Sequence, residues 1–178
     1  MSPRHPHPLL LATIALSLVL PVVPRTAHAG DTTPPDTLWS ARTFPSPTRS
    51  YALRLRPGMD LRQELLRFAR QQHLQAGFIV SCAGSLTRSS LRYANQPEAS
   101  VREGHFEIVS LSGTLSAQGA HLHASLADST GATFGGHLMD GSRIYTTAEI
   151  VVGELTRARF DRSVDSTYGY RELDVKRR

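Results

Sequence analysis

His121-Leu122-His123 is the stretch of this sequence best suited to chemistry. In an extended strand, residues i and i+2 project from one face with their Cα atoms about 6.6 Å apart. Two imidazoles so placed can meet on one metal ion, which for zinc lies about 2.0–2.1 Å from a histidine nitrogen. A third imidazole, His137, follows Gly135-Gly136, so three of the chain's eight histidines fall between residues 121 and 137. Neutral imidazoles favour zinc, with iron, nickel or copper as further choices. Three protein ligands leave one position open, as in catalytic rather than purely structural zinc sites. A carboxylate that orients an imidazole or serves as a base is expected nearby. Glu107, Asp128 and Glu149 are the candidates, and Arg143 and Glu149 could reach a ligand. The plain alternative is three unconnected surface or core histidines.

Whether His137 joins the pair depends on register. The turn around Asp128-Ser129-Thr130-Gly131 should fold the chain back along the His-x-His strand. With a four-residue loop, Ala127 faces Ala132 and Leu122 faces His137, which puts His137 on the wrong face because strand side chains alternate. A bulge at Gly135-Gly136 or a five-residue loop restores the parity, and paired glycines suit a bulge.

The elements around this region follow from periodicity. Tyr51–Arg56 alternates apolar and polar residues as a half-buried strand does. Pro57-Gly58 marks a turn, and Asp60 with Gln63 makes a capping-box arrangement. Leu61, Leu65, Phe68 and Ala69 then recur at helical spacing, predicting an amphipathic helix of about four turns to His73. Arg62, Arg67 and Arg70 form its wet face. Further strands are expected at 77–83, 87–93, 105–115, 120–127, 144–152 and 169–175, with Gly84, Asn95, Gly113, Gly119, Gly131 and Gly141 as punctuation. One helix among many strands predicts an α+β fold, a mostly antiparallel twisted sheet with the helix packed on one face.

The first 29 residues read as a secretory signal peptide. A short start with Arg4 leads to an apolar run from Leu9 to Val23 and a small-residue site at Ala27-His28-Ala29. That run is short of the roughly 20 residues that span a bilayer, although a retained anchor is the runner-up. Export to the periplasm or beyond is the expectation. Residues 30–50 are rich in Pro, Ser and Thr and read as a linker, with Trp39 able to pack onto the domain that runs from 51 to 175. Residues 1–29 carry Arg4 and Arg25 and no acid, so the remainder holds 18 basic and 15 acidic residues, or +3. Nucleic-acid-binding domains usually show a basic stripe, whereas here only Lys176-Arg177-Arg178 makes a run, read as a solvated tail. The single cysteine, Cys82, excludes an internal disulfide and reads as a small core residue.

Several segments together resemble the PPC (plants and prokaryotes conserved) domain. They are Gly104-His105-Phe106-Glu107-Ile108-Val109-Ser110-Leu111-Ser112-Gly113, Gly119-Ala120-His121-Leu122-His123, Leu126-Ala127-Asp128, Gly135-Gly136-His137-Leu138 and Thr147-Ala148-Glu149-Ile150. The Leu53–Gly58 strand-turn and Ser81-Cys82-Ala83-Gly84-Ser85 fit as well, so the resemblance covers about 51–175. It implies an α+β fold assembled as a homotrimer. In plants the domain accompanies AT-hooks in nuclear DNA-binding proteins, and a Gly-Arg-Phe-Glu-Ile-Leu-like segment contacts partner transcription factors. Here His105 replaces that arginine, and these 178 residues contain no Arg-Gly-Arg-Pro hook. Stand-alone prokaryotic members resemble metal-site proteins through the same histidines, and the fold is similar to that of acetolactate decarboxylase, which holds zinc with three histidines. The resemblance therefore implies zinc, or another divalent transition metal, at His121, His123 and His137 in an exported protein that binds or acts on a small molecule. The family's DNA-binding or transcription-associated role is the alternative.

Overall fold

The computed structural model describes residues 44–166 and 169–178; the signal peptide, most of the linker and Trp39 lie outside them. The elements are β1 (Thr48–Leu55), α1 (Leu61–Gln71), β2 (Gly77–Arg92), β3 (Ser100–Ser116), β4 (Gly119–Ala127), β5 (Thr133–Leu138), β6 (Arg143–Leu155), β7 (Ala158–Val164) and β8 (Arg171–Arg177). The first six strands form one antiparallel sheet in the order β1-β6-β2-β3-β4-β5. β2 also pairs with β5, through Leu91 to Leu138 and Arg92 to His137. The sheet thus curls until β2, β3, β4 and β5 close a circuit. β7 and β8 make a separate two-stranded sheet.

The α+β expectation holds, with one helix on a mainly antiparallel sheet. Asp60 caps α1 by accepting from Gln63 N at 3.0 Å, and its other oxygen accepts from Gly141 N at 2.6 Å. The helix start is thereby tied to the turn between β5 and β6. Leu61, Leu65 and Ala69 are buried against the sheet, each leucine contributing about 1.5–3 kcal/mol relative to exposure. Phe68 meets the Tyr51 ring edge-on at 5.4 Å. The helix ends at Gln71, two residues before the expected His73. His73 takes φ 52°, and bonds from His73 N to Arg70 O and from Leu74 N to Ala69 O close the end as a Schellman turn.

Three expectations are corrected. Residues 77–83 and 87–93 are one strand, because Gly84 is not a break: a Cβ there would come within 2.2 Å of Thr147 O, so its bare backbone admits β6. β7 was not expected at all. Lys176 and Arg177 are not a free tail but the end of β8: Lys176 pairs with Asp161 at 2.8 Å, and the Arg177 guanidinium lies over the Phe44 ring. Phe160 anchors this hairpin in a small cluster with Ala76 and Ala158, and its N–H donates to Gln75 O at 2.9 Å. Cys82 packs beside the main core, and burial pushes its thiol up to about 11, as befits an inert residue.

Candidate metal centre

β4 alternates as its sequence predicts. Leu122, Ala124 and Leu126 are buried, while His121 and His123 project from the other face. Register brings in His137. Its partner on β4 is His123, followed by Ala124 with Gly136, Ser125 with Gly135 and Ala127 with Thr133. The loop therefore has five residues, Asp128–Ala132, which is one of the two solutions that parity allowed. Asp128 builds it: Oδ1 accepts from Thr130 N, Thr130 Oγ1 and Ala132 N at 2.8, 2.6 and 3.1 Å. These bonds, those from Thr130 first, hold the carboxyl below its usual range. Gly131 supplies the left-handed φ of 83°.

With parity settled by the five-residue loop, the other solution, a bulge at Gly135-Gly136, is not used. An added Cβ at Gly135 would lie 2.8 Å from Ala124 O, and one at Gly136 would lie 2.7 Å from Arg92 O. The glycines let β5 fit between β4 and β2, so His137 faces both His123 and Arg92. Gly113 plays a related part under His121. Its φ is 126°, and a Cβ there would sit 2.1 Å from His121 O.

The three imidazoles converge. His121 Nε2 is 3.2 Å from His123 Nε2 and 3.1 Å from His137 Nδ1, and the three coordinating atoms lie within 4.8 Å of one another. A ring nitrogen carries either one proton or one in-plane lone pair, so His121 Nε2 can hydrogen-bond one of these neighbours but not both. A metal ion removes that conflict. Tetrahedral zinc with bonds of about 2.0–2.1 Å spaces its nitrogens about 3.3 Å apart, close to the separations here. The donor set fits the group.

Electrostatics favour the neutral, coordinating form of His121 and of His137. Burial lowers the pKa of His121, and the charges of Arg162, His123 and Arg92 lower it further, against Glu172, which raises it. His137 is lowered by burial first, then by Arg92 and the other two histidines.

The carboxylates expected from sequence are not the ones beside the cluster. Asp128 is committed to its turn, while Glu107 and Glu149 are exposed on β3 and β6. Arg143 points to Gly58 O at 3.4 Å. None of the four lines the cavities at the histidines. The charged neighbours are Arg92 at the end of β2, Arg162 on β7 and Glu172 on β8, all missed in the sequence. The hairpin had a readable signal, since Ala158, Phe160 and Val164 share one parity.

A family model of the Plants and Prokaryotes Conserved (PCC) domain matches residues 42–156. A curated relative, the bifunctional protein GlmU of Synechococcus sp. (strain JA-3-3Ab), is 49% identical over 146 residues, covering 80% of this chain. The chain spans only 24% of that relative's length. Among solved structures, a hypothetical protein from Salmonella cholerae-suis (Salmonella enterica) matches with TM-score 0.74 and 43% identity, over 76% of this chain and 98% of the other. A metal-containing protein from Archaeoglobus fulgidus matches with TM-score 0.63 and 26% identity, over 74% and 97%. A candidate DNA-binding protein from Bacteroides thetaiotaomicron, at TM-score 0.62 and 20% identity over 72% and 96%, shares the fold.

Proposed function

The chain belongs to the Plants and Prokaryotes Conserved (PCC) domain family, and from that premise we propose an exported, homotrimeric metalloprotein whose His121, His123 and His137 hold one zinc-type ion and present it to a small molecule. The observation that carries the reading is the meeting of three imidazole nitrogens, two at 3.1–3.2 Å from the third. Strands rather than loops hold them, so the cluster is preformed, and the cost of organising ligands falls on folding rather than on metal binding. The Archaeoglobus relative, called metal-containing, supports it.

When bound, zinc with an open position would polarise a carbonyl or lower the pKa of a water. The chain's own part is to fix the three nitrogens and, at His121 and His137, to favour the unprotonated ring. Glu172 is the one carboxylate among the described residues of the larger cavity wall, and its charge acts on His121, so it is the group we assign to handling a proton. Export rests on residues 1–29. The trimer rests on the family resemblance, with Val101, Val109 and Tyr145 exposed on the sheet as apolar surface for assembly.

Metal analysis of the purified protein tests this. About one ion per chain is expected in the wild type, and little in His121→Ala/His123→Ala. A metal-free wild type, or an unchanged double variant, would overturn the reading. The alternative, a DNA-binding or transcription-associated role, draws on the basic excess of the chain. It predicts sequence-selective duplex binding that persists at elevated salt, beyond the steep salt loss of a purely electrostatic contact.

A further inference from the structure

A cavity of about 850 Å³ opens beside the histidine cluster. His121 and His137 form part of its wall, together with Arg92, Arg162, Arg171 and Glu172. Arg62 also reaches the wall, but Asp140 at 2.6 Å holds it. That leaves three arginines against one carboxylate. Arg162 donates to Thr114 Oγ1 at 3.0 Å, and Arg92 to Gln96 O at 3.3 Å. Neither has a carboxylate within 4 Å among the described residues.

This charge runs against what a bare cation site needs. Two arginines next to three imidazoles repel a divalent ion, and Arg162 is itself part-buried at a cost to its charged form that the Glu172 carboxylate only partly offsets. An anion that meets the metal and the guanidinium groups together removes the conflict, since the arginine fork matches an oxyanion in two parallel hydrogen bonds. Arg162 and Arg171 also stand on the β7–β8 hairpin, beyond the residues 42–156 that the family model matches. The hairpin is fixed independently of the histidine strands, through Phe160 and the bond from its N–H to Gln75 O. It brings cationic charge to a wall that the main sheet alone would leave to Arg92.

We propose that this cavity takes a small oxyanion-bearing molecule, a carboxylate or a phosphate, with Arg92 of β2 and Arg162 of β7 as its anion-binding groups. The proposal takes its second anchor, the metal, from the reading above, while the arginine pair stands on its own geometry.

The test loads the full chain with Co(II), whose visible spectrum reports coordination, and titrates it with oxalate or with inorganic phosphate, heat of binding being followed in parallel. The wild type should bind at least one probe with a change in the cobalt bands; which probe does so tells carboxylate from phosphate. Arg162→Gln and Arg92→Gln should each weaken that probe at least about tenfold, the scale of one charged hydrogen bond, with cobalt stoichiometry unchanged. Arg162→Lys should recover part of the loss and guards against a folding defect. No binding of either probe by the cobalt-loaded wild type, or equal binding in both arginine variants, overturns the proposal. A wild type that takes up no cobalt refutes the metal reading alone. The same titrations of the metal-free protein then decide the anion site, for it or against it, by whether heat is released and is lost with the arginines.

Discussion

Replacing Gly136 by alanine adds one methyl group at a close backbone approach beside His137. The new Cβ would lie 2.7 Å from Arg92 O and 3.3 Å from a Tyr93 ring carbon. A carbon–oxygen contact settles at about 3.3 Å or more, so β5 must move from β2 by roughly 0.6 Å. Only two residue pairs join those strands, so they have little means to resist. His137, the next residue, moves with the backbone, whereas a metal site tolerates about 0.2 Å. Overpacking of this kind costs about 1–3 kcal/mol of stability. Metal affinity should fall at least tenfold, or about 1.4 kcal/mol. Urea unfolding in the presence of a chelator reads the first quantity, and competition against a chromophoric chelator reads the second. Gly119→Ala is the control, since nothing lies within 4 Å of an added Cβ there. If Gly136→Ala matches the wild type in both assays, the glycine pair is not what seats His137.

Asp60→Ala removes the α1 cap and strands the Gly141 N–H, two bonds at 3.0 and 2.6 Å to a carboxylate only 2% exposed. A loss of about 2–4 kcal/mol in denaturant unfolding is expected, and a loss below 1 kcal/mol would refute the role given to it. Phe160→Ala should speed hydrogen exchange in the β7 amides while leaving metal stoichiometry intact, because β4 and β5 are held by other contacts. Loss of the metal along with the hairpin would contradict that independence. Cys82, with its thiol pushed up to about 11 from an ordinary 9.0, holds about a hundredfold less thiolate at neutral pH. Alkylation at pH 8 should be slower than in denaturant by at least that factor, and equal rates would show a thiol that is neither buried nor shifted.

Much of the fold was legible because the local signals agreed with the tertiary outcome. The alternation of Leu122, Ala124 and Leu126 with His121 and His123 decided a face before any partner was known, and Asp60 with Gln63 marked the helix start. The metal residues were legible for the same reason, up to the question of parity. That question turned on Asp128, whose carboxylate gathers three donors and makes the loop five residues long; a side chain that closes a turn cannot be told from a ligand by type alone. Gly84 misled because a glycine that admits a neighbouring strand looks like one that ends a strand, and for the same reason Gly136 left a bulge open beside the five-residue loop. Arg92, Arg162 and Glu172 were not legible as site residues, since they come from three strands and meet only through closure of the sheet and folding of the hairpin.

X-ray absorption at the zinc edge of the loaded protein tests the central claim most directly. The spectrum should show an imidazole-type shell of three nitrogens at about 2.0–2.1 Å, reduced or absent in His137→Ala. A shell of oxygen or sulfur alone, or the same three-imidazole shell in that variant, would contradict the assignment of His121, His123 and His137 as the metal's ligands.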